Sequence, residues 1–290
     1  MSHTCIRCVA LAIALVLGVA ATGENTGAFG PLALESRSRQ PVISVPPTTK
    51  PPVIDGKIGY KEWTDATIHR AFINQRTGVQ HDLTTELYLK YDDDALYVGV
   101  LIERPRSARE PKASYAKGKH KNIWWKDDNF ELFMIPGERE THAKYCYVFV
   151  GNSKGAYSEM IKPVGQNPAV EWNGQWEYVA RVSSRGNSDY SWPCWEAELR
   201  IPFSQFITLQ KPAPGVVWEL AFMNQQLTPV REPVTWSQAW SFRSRGYESL
   251  TMGRLRFVGE GFCIRQQRVG HIILRVPSSC LLGAGRPNVH

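Results

Sequence analysis

Along the chain, apolar and polar residues alternate in short runs separated by turn residues. TTELYLKY (84–91) puts Leu87, Leu89 and Tyr91 on one face, as a half-buried strand does. ALYVGVLI (95–102) is a continuous apolar run, as in a buried strand. Asp92-Asp93-Asp94 lies between the two and reads as a hairpin turn. NFELFMI (129–135), KYCYVFVG (144–151), WEYVARV (176–182), VVWELAFMN (216–224) and GRLRFV (253–258) are further strand-like runs. WEAELRI (195–201) is the clearest: Trp195, Ala197, Leu199 and Ile201 face one way, and Glu196, Glu198 and Arg200 the other. No segment keeps a helical period over three turns. DGKIGYKEWTDA (55–66) and PFSQF (202–206) predict short helical turns. About eight to ten strands without crossover helices predict an all-β fold, a single-domain antiparallel β-sandwich of immunoglobulin-like or jelly-roll type.

The ends depart from this pattern. In residues 1–21, Arg7 precedes a 12-residue apolar run, Val9 to Ala20, and small residues end the segment. That is the layout of a secretory signal peptide, and the run is shorter than the ~20 residues of a membrane-spanning helix. An uncleaved N-terminal anchor is the alternative. Residues 22–44 read as a Pro/Ser/Gly-rich linker, residues 45–258 as the sandwich and residues 259–290 as a basic tail. In the tail, VGHIILRV (269–276) is either one extra strand or disordered. The expected location is secreted, extracellular or periplasmic, with no stable membrane insertion after cleavage and a monomeric state.

Composition narrows the class. Of 290 residues, 43% are hydrophobic and 21% charged, an ordinary globular balance that excludes collagen-like, disordered and membrane-bundle chains. The net charge is +7, with three Lys/Arg and two Asp/Glu in residues 1–40 and four and one in residues 259–290. The body therefore carries little excess charge and no Lys/Arg stripe, which argues against nucleic acid as a partner. After the signal, Cys146, Cys194, Cys263 and Cys280 remain, without a C-x-x-C pair. A Cys146–Cys194 bridge between strands and free buried thiols both stay open.

Ten tryptophans lie between Trp63 and Trp240. Trp63, Trp195 and Trp218 suit the core. Trp124, Trp125, Trp172 and Trp176 lie in or beside expected loops, where an indole face can pack on the C–H face of a sugar. Of Trp124 and Trp125, only one is expected in the core. Asp127, Asp128 and Glu131 follow them; such carboxylates accept sugar hydroxyls, pair as a glycosidase acid and base, or simply face solvent. Asp92, Asp93 and Asp94 are candidate calcium ligands, but they lack the spacing and glycine of an EF-hand loop, which favours a turn. His69, His81, His120 and His142 are scattered. No nucleophile-elbow, zincin, P-loop or dinucleotide motif is present.

Several segments together resemble carbohydrate-binding module family 9 and its wider relatives. PVIDGKIGYKEW (52–63) is similar to the family's opening "IDG…W", and LYLKYDDDALYVGVLI (87–102) to its hairpin. WKDDNFELFMIPG (125–137) and WEAELRIPFSQF (195–206) are similar to its "W-x-x-D-x-x-E-x-F" and "W-x-x-E-x-x-I-P-F" pieces. TWSQAW (235–240) and MGRLRF (252–257) resemble its closing segments. The resemblance spans about residues 45–258. It implies a calcium-containing sandwich that holds a sugar between two tryptophans and is commonly appended to glycoside hydrolases. Trp125 matches the first tryptophan and Glu131 the acidic partner; Trp240, Phe242 and Tyr247 compete for the second aromatic place. The family's arginine has no clear match, and Asn152 is the polar residue near its position. Asn224 and Gln225 match the amide contacts.

The resulting expectation is a non-catalytic protein that binds an oligo- or polysaccharide of the xylan or cellulose type. Two alternatives stand beside it. One is a haem-binding, DOMON-like electron-transfer module using Met134, Met160, Met223 or Met252. The other is a glycoside hydrolase, for which the sandwich leaves no residues to build a catalytic domain.

Overall fold

A computed structural model describes residues 41–74, 81–108, 110–138, 141–164, 172–186, 191–227, 232–235, 252–260, 264–269 and 272–277. The expected signal peptide, most of the linker, Trp240, Phe242, Tyr247, Cys263 and Cys280 lie outside the described residues. Within them, no helix is long and apolar enough to cross a membrane.

The alternating runs form two sheets, with strands numbered here in chain order. One sheet has five strands in the order β10 (Glu177–Arg185), β11 (Trp192–Pro202), β5 (Ala95–Glu103), β4 (Thr85–Tyr91) and β2 (Thr67–His69), all antiparallel. The other runs β1 (Val42–Val45), β14 (Gly253–Phe257), β12 (Val217–Gln226), β7 (Asn129–Ile135), β8 (Tyr145–Asn152), β9 (Ala156–Pro163) and β6 (Gly118–Lys119). In that sheet β13 (Glu232–Thr235) pairs with β12, and β3 (Ile73–Asn74) pairs with β13. Leu87, Leu89, Trp195 and Leu199 from the first sheet meet Phe130, Leu132, Phe149, Trp218 and Phe222 from the second in one core. The rings of Trp195 and Phe222 stack on Phe130 at centroid distances of 6.3 and 6.2 Å.

Three readings of the sequence change. Val42–Val45 pairs in parallel with β14, so the sheet begins inside the segment read as linker. A strand built from AYSEMIKP (156–163) went unread, because its polar residues break the alternation. Residues 55–66 form turns rather than helix, whereas Phe203–Gln205 does make one 3-10 turn. In the tail, β15 (Ile264–Val269) and β16 (Ile272–Pro277) form a hairpin, so residues 272–276 of VGHIILRV are a strand outside the two large sheets. Cys146 and Cys194 are free, buried thiols. They sit on strands of different sheets with the sandwich core between, which rules out the bridge.

The Glu196–Glu198 part of the charged face of WEAELRI is not solvated. A strap formed by residues 51–66 covers it. Glu198 accepts N–H bonds from Asp55 (3.0 Å), Gly56 (2.9 Å) and the Trp63 indole (2.8 Å). Gly56 has φ +81 and a Cβ there would meet Val179 at 3.1 Å, so glycine is required. Lys90, fully buried, donates to the carbonyls of Lys50 (2.8 Å) and Glu62 (2.6 Å) and to Asp65 (3.1 Å). The "IDG…W" segment thus works as a clamp on the outside of the sheet. Burial pushes the Glu198 carboxyl up to about 7, although its three N–H donors favour the charged form.

Candidate functional site

The segment between β6 and β7 carries the Trp pair on a single helical turn, α1 (Ile123–Lys126). Successive residues on a helix point about 100° apart. Ile123 is therefore buried, Trp124 packs half-buried and edge-on against Phe133, and Trp125 is 73% exposed. One indole lies inside and the other outside, as expected, but a helical turn sorts them rather than a strand.

A helical turn leaves its last carbonyls without intrahelical partners. Two amide side chains, those of Asn129 and Gln225, meet this need, and a third, Asn152, braces the residue that follows the turn. Asn152, Asn129 and Gln225 are register neighbours across β8, β7 and β12, on the outer face of the sheet. Asn129 Nδ2 donates to the carbonyls of Ile123 (3.1 Å) and Asp127 (3.0 Å). Gln225 Nε2 donates to the Trp124 carbonyl (2.9 Å). Asn152 Nδ2 donates to the Tyr115 carbonyl (2.9 Å) and to Asp127 Oδ2 (2.7 Å), and its Oδ1 accepts from the N–H groups of Lys154 and Ala156. Asn152 and Gln225, candidate sugar contacts by sequence, are buried supports of the Trp125 turn.

Asn224 departs further from expectation. Side chains alternate along β12, so Asn224 and Gln225 point to opposite sides of the sheet. Asn224 Nδ2 faces Thr85 Oγ1 of the opposite sheet at 3.4 Å, and Asn224 Oδ1 is buried without a hydrogen-bond partner. It cannot share a ligand with Gln225. Glu131 lies one row further along the outer face than Asn129, flanked in register by Val150 and Met223, and is 3% exposed.

Asp127 and Asp128 are neither a solvated loop nor an exposed acid/base pair. Asp127 Oδ1 accepts from the Ser114 N–H (2.6 Å), and Asp128 accepts from the N–H groups of Lys112 (2.9 Å) and Leu227 (2.6 Å). Asp128 also pairs with Arg104 at 3.0 Å, both side chains being buried, and Arg104 donates to Gln226 at 3.1 Å. Arg104 and Asn129 went unnoticed in the sequence. The run Asp-Asp-Asn immediately before an apolar strand was the available signal.

Asp92, Asp93 and Asp94 do not fit a calcium ion as they stand. Asp92 Oδ1 accepts the N–H groups of Asp94 and Ala95, both at 2.8 Å, and Oδ2 accepts the Tyr97 hydroxyl at 2.6 Å. Asp93 and Asp94 are exposed on the hairpin. Among the described residues no group of three or more His, Cys, Asp or Glu is arranged to hold a metal ion. Met134, Met223 and Met252 are buried, Met134 in the main core and Met252 under α1. Trp172 and Trp176 pack edge-on against Phe149, and the Trp176 indole donates to Glu159.

No known family's sequence model matches the chain, and no curated protein matches it. Solved structures do. A Bacteroides uniformis protein provisionally assigned as carbohydrate-binding aligns with a TM-score of 0.55 at 15% identity, over 75% of this chain and 99% of that one. Two structures of a carbohydrate-binding module family 9 from Caldicellulosiruptor kristjanssonii also align. The complex with cellotriose has a TM-score of 0.46 at 14% identity, over 76% of this chain and 95% of that one. The complex with glucose has a TM-score of 0.46 at 16% identity, over 77% and 98%. The likeness to the Bacteroides protein is one of fold, and it agrees with the β-sandwich read from the sequence.

Proposed function

We propose that this protein is a secreted, non-catalytic carbohydrate-binding protein that serves the degradation of xylan- or cellulose-type polysaccharides. A sugar ring of an oligo- or polysaccharide lies on the indole of Trp125. The observation that carries this reading is the 73% exposure of Trp125 on a turn held from below by two buried amides. A large apolar ring on a rigid mount loses little conformational freedom when a ligand covers it. The family 9 resemblance of the sequence and the sugar-binding descriptions of the structural neighbours agree with it. The signal-like N-terminus supplies the secretion.

The test is a fluorescence titration with cello- and xylo-oligosaccharides. A shift in tryptophan emission that Trp125→Ala abolishes is the expected result. A folded protein that binds nothing on a broad glycan array contradicts the reading.

A further inference from the structure

The outer face of the five-stranded sheet carries a groove of about 1280 Å³ between the strap and the β4–β5 hairpin. Its two ends differ in charge. At one end Arg70 and Arg185 converge on a single buried carboxylate, Glu86, at 2.6 and 2.9 Å. At the other end Asp92, Asp93 and Asp94 line the wall. Residues 86 and 92 lie about 20 Å apart along the chain, at roughly 3.3 Å per residue. Tyr60, 86% exposed, stands on the rim between strap and solvent.

The arginine end is a prepared anion site. Glu86 neutralises only one of two guanidinium charges. Arg70 and Arg185 are fixed by it yet remain 40% and 43% exposed. Each guanidinium has five N–H donors. The described contacts use one from Arg70 and two from Arg185, the latter to Glu86 and to the Tyr88 hydroxyl at 3.3 Å. Burial alone would raise the Glu86 carboxyl, but hydrogen bonds from Tyr88 and Arg70 and the two guanidinium charges hold it below its ordinary value. The pair therefore stays oriented, with forked donors left over for a planar oxyanion. A positive end and an exposed aromatic ring suit a ligand that carries carboxylates and hydroxyls on sugar rings.

We propose that this groove is a second binding site, separate from the Trp125 face, for an acidic oligosaccharide whose carboxylate is gripped by Arg70 and Arg185. Isothermal titration of the full chain with trigalacturonate at low salt tests it. Binding is expected, with affinity falling about tenfold in Arg70→Ala and in Arg185→Ala. It is expected to survive Trp125→Ala, and inorganic sulfate is expected to compete. The Arg70→Lys and Arg185→Lys variants keep the charge near Glu86 and guard against loss of folding; weakened trigalacturonate binding in folded protein is expected from them as well. In the wild type, the side-chain Nε–H resonances of Arg70 and Arg185 are expected to shift with trigalacturonate but not with cellotriose.

The proposal is overturned if trigalacturonate does not bind folded wild-type protein, or if binding ignores both arginine substitutions. It is equally overturned if sulfate binds and trigalacturonate does not, or if a zwitterionic peptide binds in its place. Loss of cellotriose binding in Trp125→Ala reads the other site, so failure of one assignment leaves the other measurable.

Discussion

At the scale of single residues, the two tryptophans of α1 show how one chemistry serves two ends. Trp124 gives its ring to the apolar cluster over the outer face of the nine-stranded sheet, and Trp125 gives its ring to solvent. Trp125→Ala should therefore change ligand binding while leaving stability within about 0.5 kcal/mol of wild type in urea unfolding, as for an exposed site. Trp195→Ala removes a fully buried indole from the main core and should cost about 3–5 kcal/mol by the same measurement. Glu198 contributes a pH dependence. Its carboxyl titrates near about 7 in the folded protein against an ordinary value of 4.5. Between those values the folded state holds a proton that the unfolded chain has released. Stability from this group is thus present below 4.5 and is lost as pH rises through about 7. The urea midpoint should fall over that window in the wild type, and the fall should flatten in Glu198→Gln.

At the scale of elements, the strands were legible in the sequence because each buries one regular face. Leu87, Leu89 and Tyr91, or Trp195, Ala197, Leu199 and Ile201, declare their strands by period alone. The site was less legible, because its logic is in the outward positions. Asn152, Asn129 and Gln225 are far apart in the chain and become a row only through the register of β8, β7 and β12. Sequence matching gave Asn152 and Gln225 the right neighbourhood and the wrong partner, since they serve the carbonyls of α1 and the Asp127 carboxylate. The strap over Glu198 and Lys90 was hidden for a similar reason: alternation marks those residues as outward, not as covered. Asn129→Ala takes the side-chain donor from the Asp127 carbonyl and leaves the Ile123 carbonyl with the Asp127 N–H alone, and it should cost about 1–3 kcal/mol in urea unfolding. It should also weaken oligosaccharide binding without touching the sugar, while Trp125 emission in the free protein shifts as the turn loosens.

At the scale of the whole molecule, the sandwich presents two outer faces with different chemistry. The face of the nine-stranded sheet carries an exposed indole on a supported turn; the face of the five-stranded sheet carries the strap and the Arg70–Arg185 groove. Near one end, Arg104 and Asp128 tie the end of β5 to the segment before β7. Arg104→Met strands a buried carboxylate and should cost about 3–5 kcal/mol of stability in urea unfolding. The central claim is that a sugar lies on the exposed ring of Trp125. It is tested most directly by fluorine NMR of the protein labelled with 5-fluorotryptophan, the Trp125 signal being assigned from Trp125→Phe. On addition of cellotriose or xylotriose, the Trp125 resonance should shift while those of the buried Trp195 and Trp218 stay in place. Sugar binding with an unmoved Trp125 resonance would contradict it.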